Sequence, residues 1–362
     1  MKIRRTAALA AVAFTALALP VLGVSANVEH YAYDPLHVHG NASASPTGLS
    51  PATIKSVYSF PTSTSAGAGK TVAIVDAYND PTAESDLGVF SSQYGLPACT
   101  SANGCFRKVD QNGGSNYPKT NSGWALEISL DVQWAHAIAP GAQILLVEAS
   151  SNSLANLLAA EDYAKAHAQY VSNSWSGGEF SGESGYDSHF VQSGVSFFFS
   201  SGDSGTPAEY PSASPNVISV GGTTLNFRNG AFVSETGWSG SGGGCSAYER
   251  ATSAQTSFAT FPQVGCGTSR GTPDVSLDAD PASGVSVYDS TRYQGQKGWW
   301  TVGGTSASCP MWAARSADKG AVVSSSYVYG NNITFRDITS GNNGAPALPG
   351  YDLVTGRGSW LG

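Results

Sequence analysis

The chain has 362 residues, of which 41% are hydrophobic and only 12% charged, with a formal net charge of −8. That balance argues against a general nucleic-acid partner, which needs a basic surface, and it supplies enough apolar residues for a sizeable core in one large domain or two smaller ones. A charge content about half the usual share leaves few carboxylate pairs to be lost on protonation, which suits an acidic medium.

The first residues read as a secretory signal. Lys2, Arg4 and Arg5 form a basic start, Ala7 to Val24 is apolar and interrupted by Pro20, and Val24-Ser25-Ala26 is a small-residue cleavage site. Cleavage after Ala26 is expected, giving a secreted, extracellular protein with no membrane contact once the signal is gone. Residues 27–49 are polar, with His37 and His39, and read as a linker or short pro-segment. A globular pattern without internal repeats runs from Ser50 to Gly362. Export permits disulfides, and Cys99 with Cys105 and Cys245 with Cys266 are the natural local pairs. Cys309 is then left over as a small filler inside a helix. No cysteine–histidine cluster has zinc spacing.

Short apolar runs alternate with helix-like stretches. Strands are expected at Thr71–Val75, Ile144–Val147, Tyr170–Ser174, Val195–Ser200 and Val217–Val220, with a late strand at Val285–Tyr288. Helices are expected at Thr82–Tyr94 and Leu154–Ala168. Fully apolar strands between helices indicate a parallel sheet covered on both faces, whose reactive groups gather at the carboxyl ends of strands. The Gly/Ser-rich stretch Ser239–Gly244 reads as a surface loop.

Three segments carry chemistry. In GGTSASCP, Gly303 to Pro310, Ser306 stands at or just before a helix start. There the backbone N–H groups favour an anion, so the serine suits nucleophilic attack as well as a plain N-cap. The helical stretch Trp124–Ala137 is apolar almost all round and so reads as buried. It nevertheless carries Glu127 and Asp131 four residues apart on one face. The rival reading is a solvent-exposed acidic edge. In SGDSG, Asp203 occupies a glycine-rich turn at the end of a strand, either as a functional carboxyl or as an Asx-turn.

Together these pieces resemble the sedolisin family of serine–carboxyl peptidases, a branch of the subtilisin-like fold. The resemblance rests on ALEISLD around Glu127 and Asp131, APGA at Ala139–Ala142, SNSWSGGE at Ser172–Glu179, SGDSG, VGGTTL at Val220–Leu225, and GGTSASCP. It implies an α/β, three-layer sandwich with a mostly parallel central sheet over residues 50–362. It also implies a nucleophile, Ser306, with Glu127 as general base, Asp131 orienting Glu127, and Asp203 donating to the oxyanion with the Ser306 N–H. Asp203 can donate only when protonated, so an acidic optimum is expected. The edge carrying Ser174, Trp175 and Gly177 would pair with an extended peptide substrate. One calcium ion is expected from the Asp337 and Asp352 side chains and the carbonyls of Ile338, Leu348 and Gly350. The expected assembly is a monomer acting on protein or peptide substrates.

Two alternatives stand beside this reading. A Ser-His-Asp triad would use Asp76, at the end of the first strand, but no His-Gly-Thr-His segment exists to complete it. A secreted pseudopeptidase would bind peptides without cutting them. It draws support from the brevity of residues 27–49, where the family has a folding propeptide of well over a hundred residues.

Overall fold

The computed structural model describes residues 29–34 and 36–362, so the signal sequence expected over residues 1–26 lies outside the described residues. In chain order the elements begin with β1 (His37–Val38), α1 (Pro51–Tyr58), β2 (Thr71–Ala77), α2 (Ala83–Tyr94), β3 (Phe106–Asp110), α3 (Ser122–Ile138), β4 (Gln143–Ala149) and α4 (Leu154–His167). They continue with β5 (Tyr170–Asn173), β6 (Gly177–Gly178), β7 (Ser196–Ser200), β8 (Glu209–Tyr210), β9 (Ile218–Arg228), β10 (Ala231–Gly237), β11 (Gly244–Arg250) and α5 (Ser253–Thr256). The remaining elements are β12 (Ser269–Thr272), β13 (Val275–Asp278), β14 (Val285–Tyr293), β15 (Gln296–Gly303), α6 (Thr305–Lys319), α7 (Ser325–Tyr329), β16 (Thr334–Arg336) and β17 (Ser359–Leu361).

The main sheet has the order β16-β17-β13-β9-β7-β5-β2-β4-β3, with β10 beside β9. Its strands run parallel from β17 to β3, and only β10 and β16 are antiparallel. The alternation along β2 shows why two helical layers are needed. Val72 and Ile74 join the core built with α2, α3 and α6, while Ala73, Val75 and Ala77 join the core under α4. Successive side chains of a strand point to opposite faces, so an apolar strand of this kind must be covered twice. The three-layer α/β sandwich with a mostly parallel sheet is therefore the observed architecture.

The predicted strands and helices are present, with two differences of extent. The strand expected at Val217–Val220 continues to Arg228, because β10 folds back on it as an antiparallel partner. The strand at Val285 belongs to a separate three-stranded antiparallel sheet, β1-β15-β14, and leads into β15, which ends at Gly303. Both expected disulfides are formed and Cys309 is buried and free.

Two expectations are corrected. Residues 241–244 are buried rather than a surface loop. The Gly242 N–H donates to the Gly202 carbonyl at 2.6 Å, and a Cβ at Gly242 would lie 2.0 Å from the Ser201 carbonyl oxygen. Glycine was read as a sign of a loose turn, yet here it permits backbone-on-backbone packing. The polar segment before Ser50 is not a free linker over its described residues either. It is laid against the body of the domain by main-chain hydrogen bonds, Tyr33 pairing with Ser176 and His37 with Gly303.

Candidate active site

The site begins with α6. Gly304 precedes it at φ 118°, a left-handed backbone that favours glycine, and its N–H donates to the Ala279 carbonyl at 2.6 Å. The turn is thereby anchored to the segment after β13, and the helix starts at Thr305 with Ser306 second. The first N–H groups of a helix have no partner one turn back within it, so the serine stands in a region of positive potential. Ser306 itself is fully buried.

Helix α3 packs against α6 and against β14. All its residues from Trp124 to Ile138 are buried, which decides against an exposed acidic edge. Glu127 and Asp131 are both completely shielded from solvent. Burial, followed by the neighbouring Asp131, Asp76 and Asp34 carboxyls, pushes Glu127 well above the ordinary carboxyl range, and a hydrogen bond with the Ser306 side chain opposes that shift. Asp131 is likewise raised well above its ordinary value by burial, offset in part by the Ser174 hydroxyl. The four-residue spacing on one helical face thus sets Glu127 beside Ser306 and Asp131 beside Ser174.

Asp203 lies in the turn after β7. It accepts hydrogen bonds from the Thr305 N–H and hydroxyl, both at 2.8 Å on Oδ1. It is thereby tied to the residue next to Ser306. Burial raises its pKa, against the bonds from His37 and Thr305. The structure therefore gathers Ser306, Glu127, Asp131 and Asp203 around the amino-terminal end of α6.

The sequence left some neighbours unread. Asp76, at the end of β2, is fully buried with both carboxylate oxygens unpartnered, and it is raised by burial and then by Asp131, Asp34 and Glu148. It is part of the carboxyl cluster. Asp34 reaches the same cluster from the amino-terminal segment and is raised to about 6, first by burial. Glu209 on β8 accepts from the Ser176 hydroxyl at 2.5 Å and from the Tyr33 hydroxyl. His37 faces Asp203 at 3.2 Å. No local motif marks these four residues, because each arrives by pairing between segments far apart in sequence.

Of the edge after β5, Ser174 is buried beside Asp131 and Gly177 is half-buried in β6. Trp175 is fully buried, and its indole N–H donates to the Val75 carbonyl at 2.9 Å. It can thus offer a bound peptide only its main chain. The remaining histidines supply no triad. His136 bonds the Pro97 carbonyl and His189 pairs with Asp162.

Asp337 and Asp352 both turn onto the loop that contains Leu348 and Gly350. Gly350 N–H bonds both oxygens of Asp337 at 3.0 Å, and Leu348 N–H bonds Asp352 Oδ2 at 3.0 Å. The N–H groups of Val354 and Thr355 donate to Asp352 Oδ1 at 2.8 and 2.7 Å. Each carboxylate keeps further lone pairs, and carboxylate oxygens are the hard donors that calcium takes.

Comparison with known proteins bears on the family and the fold. The subtilase family matches residues 113–323, more than half of the chain. The chain belongs to the subtilase family. Within it the similarity runs to the sedolisins. Kumamolisin from Bacillus sp. (strain MN-32) is 30% identical over 88% of this chain, and sedolisin from Pseudomonas sp. (strain 101) is 32% identical over 46% of it. The alignments cover 63% and 33% of those two proteins, so the chain spans less than two thirds of the relatives' length. The structure of Pseudomonas sedolisin, described as a serine-carboxyl proteinase complexed with pseudo-iodotyrostatin, superposes with a TM-score of 0.72. It is 28% identical, and the superposition covers 89% of this chain and 96% of that one. This subtilase therefore has the sedolisin-type serine peptidase fold.

Proposed function

We propose that this subtilase is a secreted serine–carboxyl endopeptidase that hydrolyses peptide bonds of proteins in acid. The observation that carries the reading is the buried Glu127–Asp131 pair with the Ser306 side chain beside Glu127. A buried helix gains nothing from two like-charged carboxyls on one face. A hydroxyl nucleophile needs a base beside it and a group that orients the base.

In this mechanism Ser306 Oγ attacks the scissile carbonyl carbon while Glu127 takes the hydroxyl proton. Asp131 holds Glu127 in position. Negative charge develops on the carbonyl oxygen, which accepts hydrogen bonds from the Ser306 N–H and from protonated Asp203. Glu127 then returns the proton to the leaving amine, and water repeats the sequence to release the acyl group. Burial of Asp203 favours its neutral form, as the donor role requires. The backbone of Ser174 to Gly177 pairs with the substrate. Calcium, when bound, would be held by the Asp337 and Asp352 side chains with the carbonyls of Ile338, Leu348 and Gly350, and its charge would restrain the carboxyl-terminal loop. Two disulfides among the described residues, and no described helix long and apolar enough to cross a membrane, fit an exported protein.

The test is cleavage of an unfolded protein from pH 3 to 8 by the wild type and by Ser306→Ala. Activity that peaks in acid and vanishes in the variant is the expected result. A maximum near or above neutral pH sinks the carboxyl assignment. Folded proteins that cut nothing at any pH leave the peptide-binding pseudopeptidase as the better reading.

A further inference from the structure

We infer that Ser129 and Gln133, on the far side of α3, are positioning residues. Anchored to Asp80 and to the main chain of Tyr288, they set the rotation of the helix and so aim Glu127 and Asp131 at Ser306. The inference rests on the proposed catalytic site and adds to it the parts that hold its base in place.

Helix α3 carries two polar pairs, each with a spacing of four. Glu127 and Asp131 form one, Ser129 and Gln133 the other, and all four residues are buried. A helix turns roughly 100° per residue, so the second pair lies on the side away from the first. A buried hydroxyl or amide costs free energy unless it is hydrogen-bonded, and the proposed reaction uses neither. Their partners therefore show what they are for.

Gln133 grips the main chain of one residue of β14. Its Nε2 donates to the Tyr288 carbonyl at 2.7 Å, and its Oε1 accepts from the Tyr288 N–H at 2.9 Å. Ser129 Oγ donates to Asp80 Oδ2 at 3.2 Å. Asp80 lies in the loop after β2 and is fully buried. That loop is itself held. The Asp80 N–H donates to Glu148 Oε1 at 2.8 Å, and its carbonyl accepts from Lys108 Nζ at 2.6 Å. Asp80 Oδ1 accepts from the Thr82 N–H and hydroxyl at 2.8 and 3.0 Å. Tyr78, just before, has φ 64°, a backbone that persists in a non-glycine residue only where the surroundings over-determine it. The Thr82 hydroxyl meets that of Thr291 on β14 at 3.0 Å, so the two anchors are tied to each other.

The anchors matter because of what α3 lacks. A surface helix is oriented by its apolar stripe, but α3 is buried from Trp124 to Ile138. Apolar burial is non-directional, so it fixes the rotation of such a helix poorly. Two directional contacts one turn apart supply what the stripe does not. Rotation decides how the Glu127 carboxyl meets the Ser306 hydroxyl, and a misplacement of about 1 Å at a reacting group can cost on the order of 10²-fold in rate.

The test compares the wild type with Gln133→Met and Gln133→Glu at pH 4. A buried carboxyl is neutral in acid, so Gln133→Glu can still accept from the Tyr288 N–H and donate to its carbonyl, whereas Gln133→Met keeps only the bulk. Protein hydrolysis gives kcat and KM per folded molecule, and amide hydrogen exchange is followed over residues 122–138. Gln133→Met is expected to exchange about fivefold faster, the worth of one hydrogen bond. Its kcat should fall about tenfold or more with KM little changed, and Gln133→Glu should recover both. Ser129→Ala, which removes one hydroxyl, takes the same measurements if Gln133→Met does not fold. Unchanged exchange overturns the inference, whatever the activity. Faster exchange with kcat per folded molecule intact makes the contacts merely structural and also overturns it. So does a Gln133→Glu chain that behaves like Gln133→Met. Faster exchange, restored by Gln133→Glu, in a chain whose wild type cuts nothing upholds the anchors and instead defeats the peptidase reading.

Discussion

Two acidic regions of this subtilase treat their carboxyl groups in opposite ways. Around the start of α6, Glu127, Asp131 and Asp76 are buried together and poorly supplied with donors. The side chain of Asp76 has no hydrogen bond, and Asp131 lifts the pKa of both Asp76 and Glu127. In the loop near the carboxyl terminus, Asp352 is buried too, but three backbone N–H groups and the Thr355 hydroxyl point at it. The second arrangement organises a loop, since a satisfied carboxylate rigidifies what surrounds it. The first stores unfavourable electrostatics, which a protein keeps only where the groups are used. Burial alone does not separate a structural carboxyl from a catalytic one.

The largest expected effect breaks the comparison at its catalytic pole. Glu127→Gln should lower kcat/KM about 10³- to 10⁴-fold, at the upper end of what a general base contributes. Its melting temperature near neutral pH should not fall and is expected to rise, because one member of a repelling cluster becomes neutral. Kinetics beside a thermal melt checks both, and a large loss of stability would place Glu127 with the structural carboxyls.

At the structural pole, Asp352→Ala should cost about 1–3 kcal/mol, since several buried N–H groups lose their acceptor. Residual activity should follow the folded fraction, with kcat of the folded enzyme little changed. Denaturant titration alongside active-site kinetics makes this measurable. Gly242→Ala should destabilise through sterics alone, since its Cβ meets the Ser201 carbonyl, and a full melt at unchanged temperature would show the loop to be less tightly packed than described.

The pH dependence sharpens the contrast over the whole molecule. Burial raises Glu161, Glu183 and Asp289 to about 8 and Glu148 and Glu249 to about 7. Their unfolded values lie near ~4, so the folded state binds more protons between those limits. The stability they contribute is complete below about pH 4 and is lost as pH rises through 7 to 8. Melting temperature should therefore fall from pH 4 to pH 8, and a maximum near neutral would contradict these environments. The smallest effect is that of a chelator, which should lower the melting temperature by a few degrees through the Asp337–Asp352 loop. Asp337→Ala, if calcium is held there, should abolish that response.

Much of the site was legible because helical and strand periodicities are local. Glu127 and Asp131 share a face whatever else the chain does, and an all-apolar helix around them announces burial. Ser306 was legible from glycines before a helix, and Asp203 from a glycine turn after an apolar strand. The loop at residues 241–244 was misread because glycine frees the backbone in a turn and admits close packing in a core with the same letters.

The sequence by itself determined the principal strands and helices, the two-sided parallel sheet and which side chains are candidates for chemistry, since those follow from spacing along one segment. Only the tertiary structure decided that Asp76 joins the carboxyl cluster, that Glu209 meets Tyr33, and that His37 reaches Asp203. Those contacts join residues separated by roughly fifty to well over a hundred and fifty positions. Their existence depends on register between strands and on how the amino-terminal segment pairs with the body of the domain, and neither is written in the residues that make the contact.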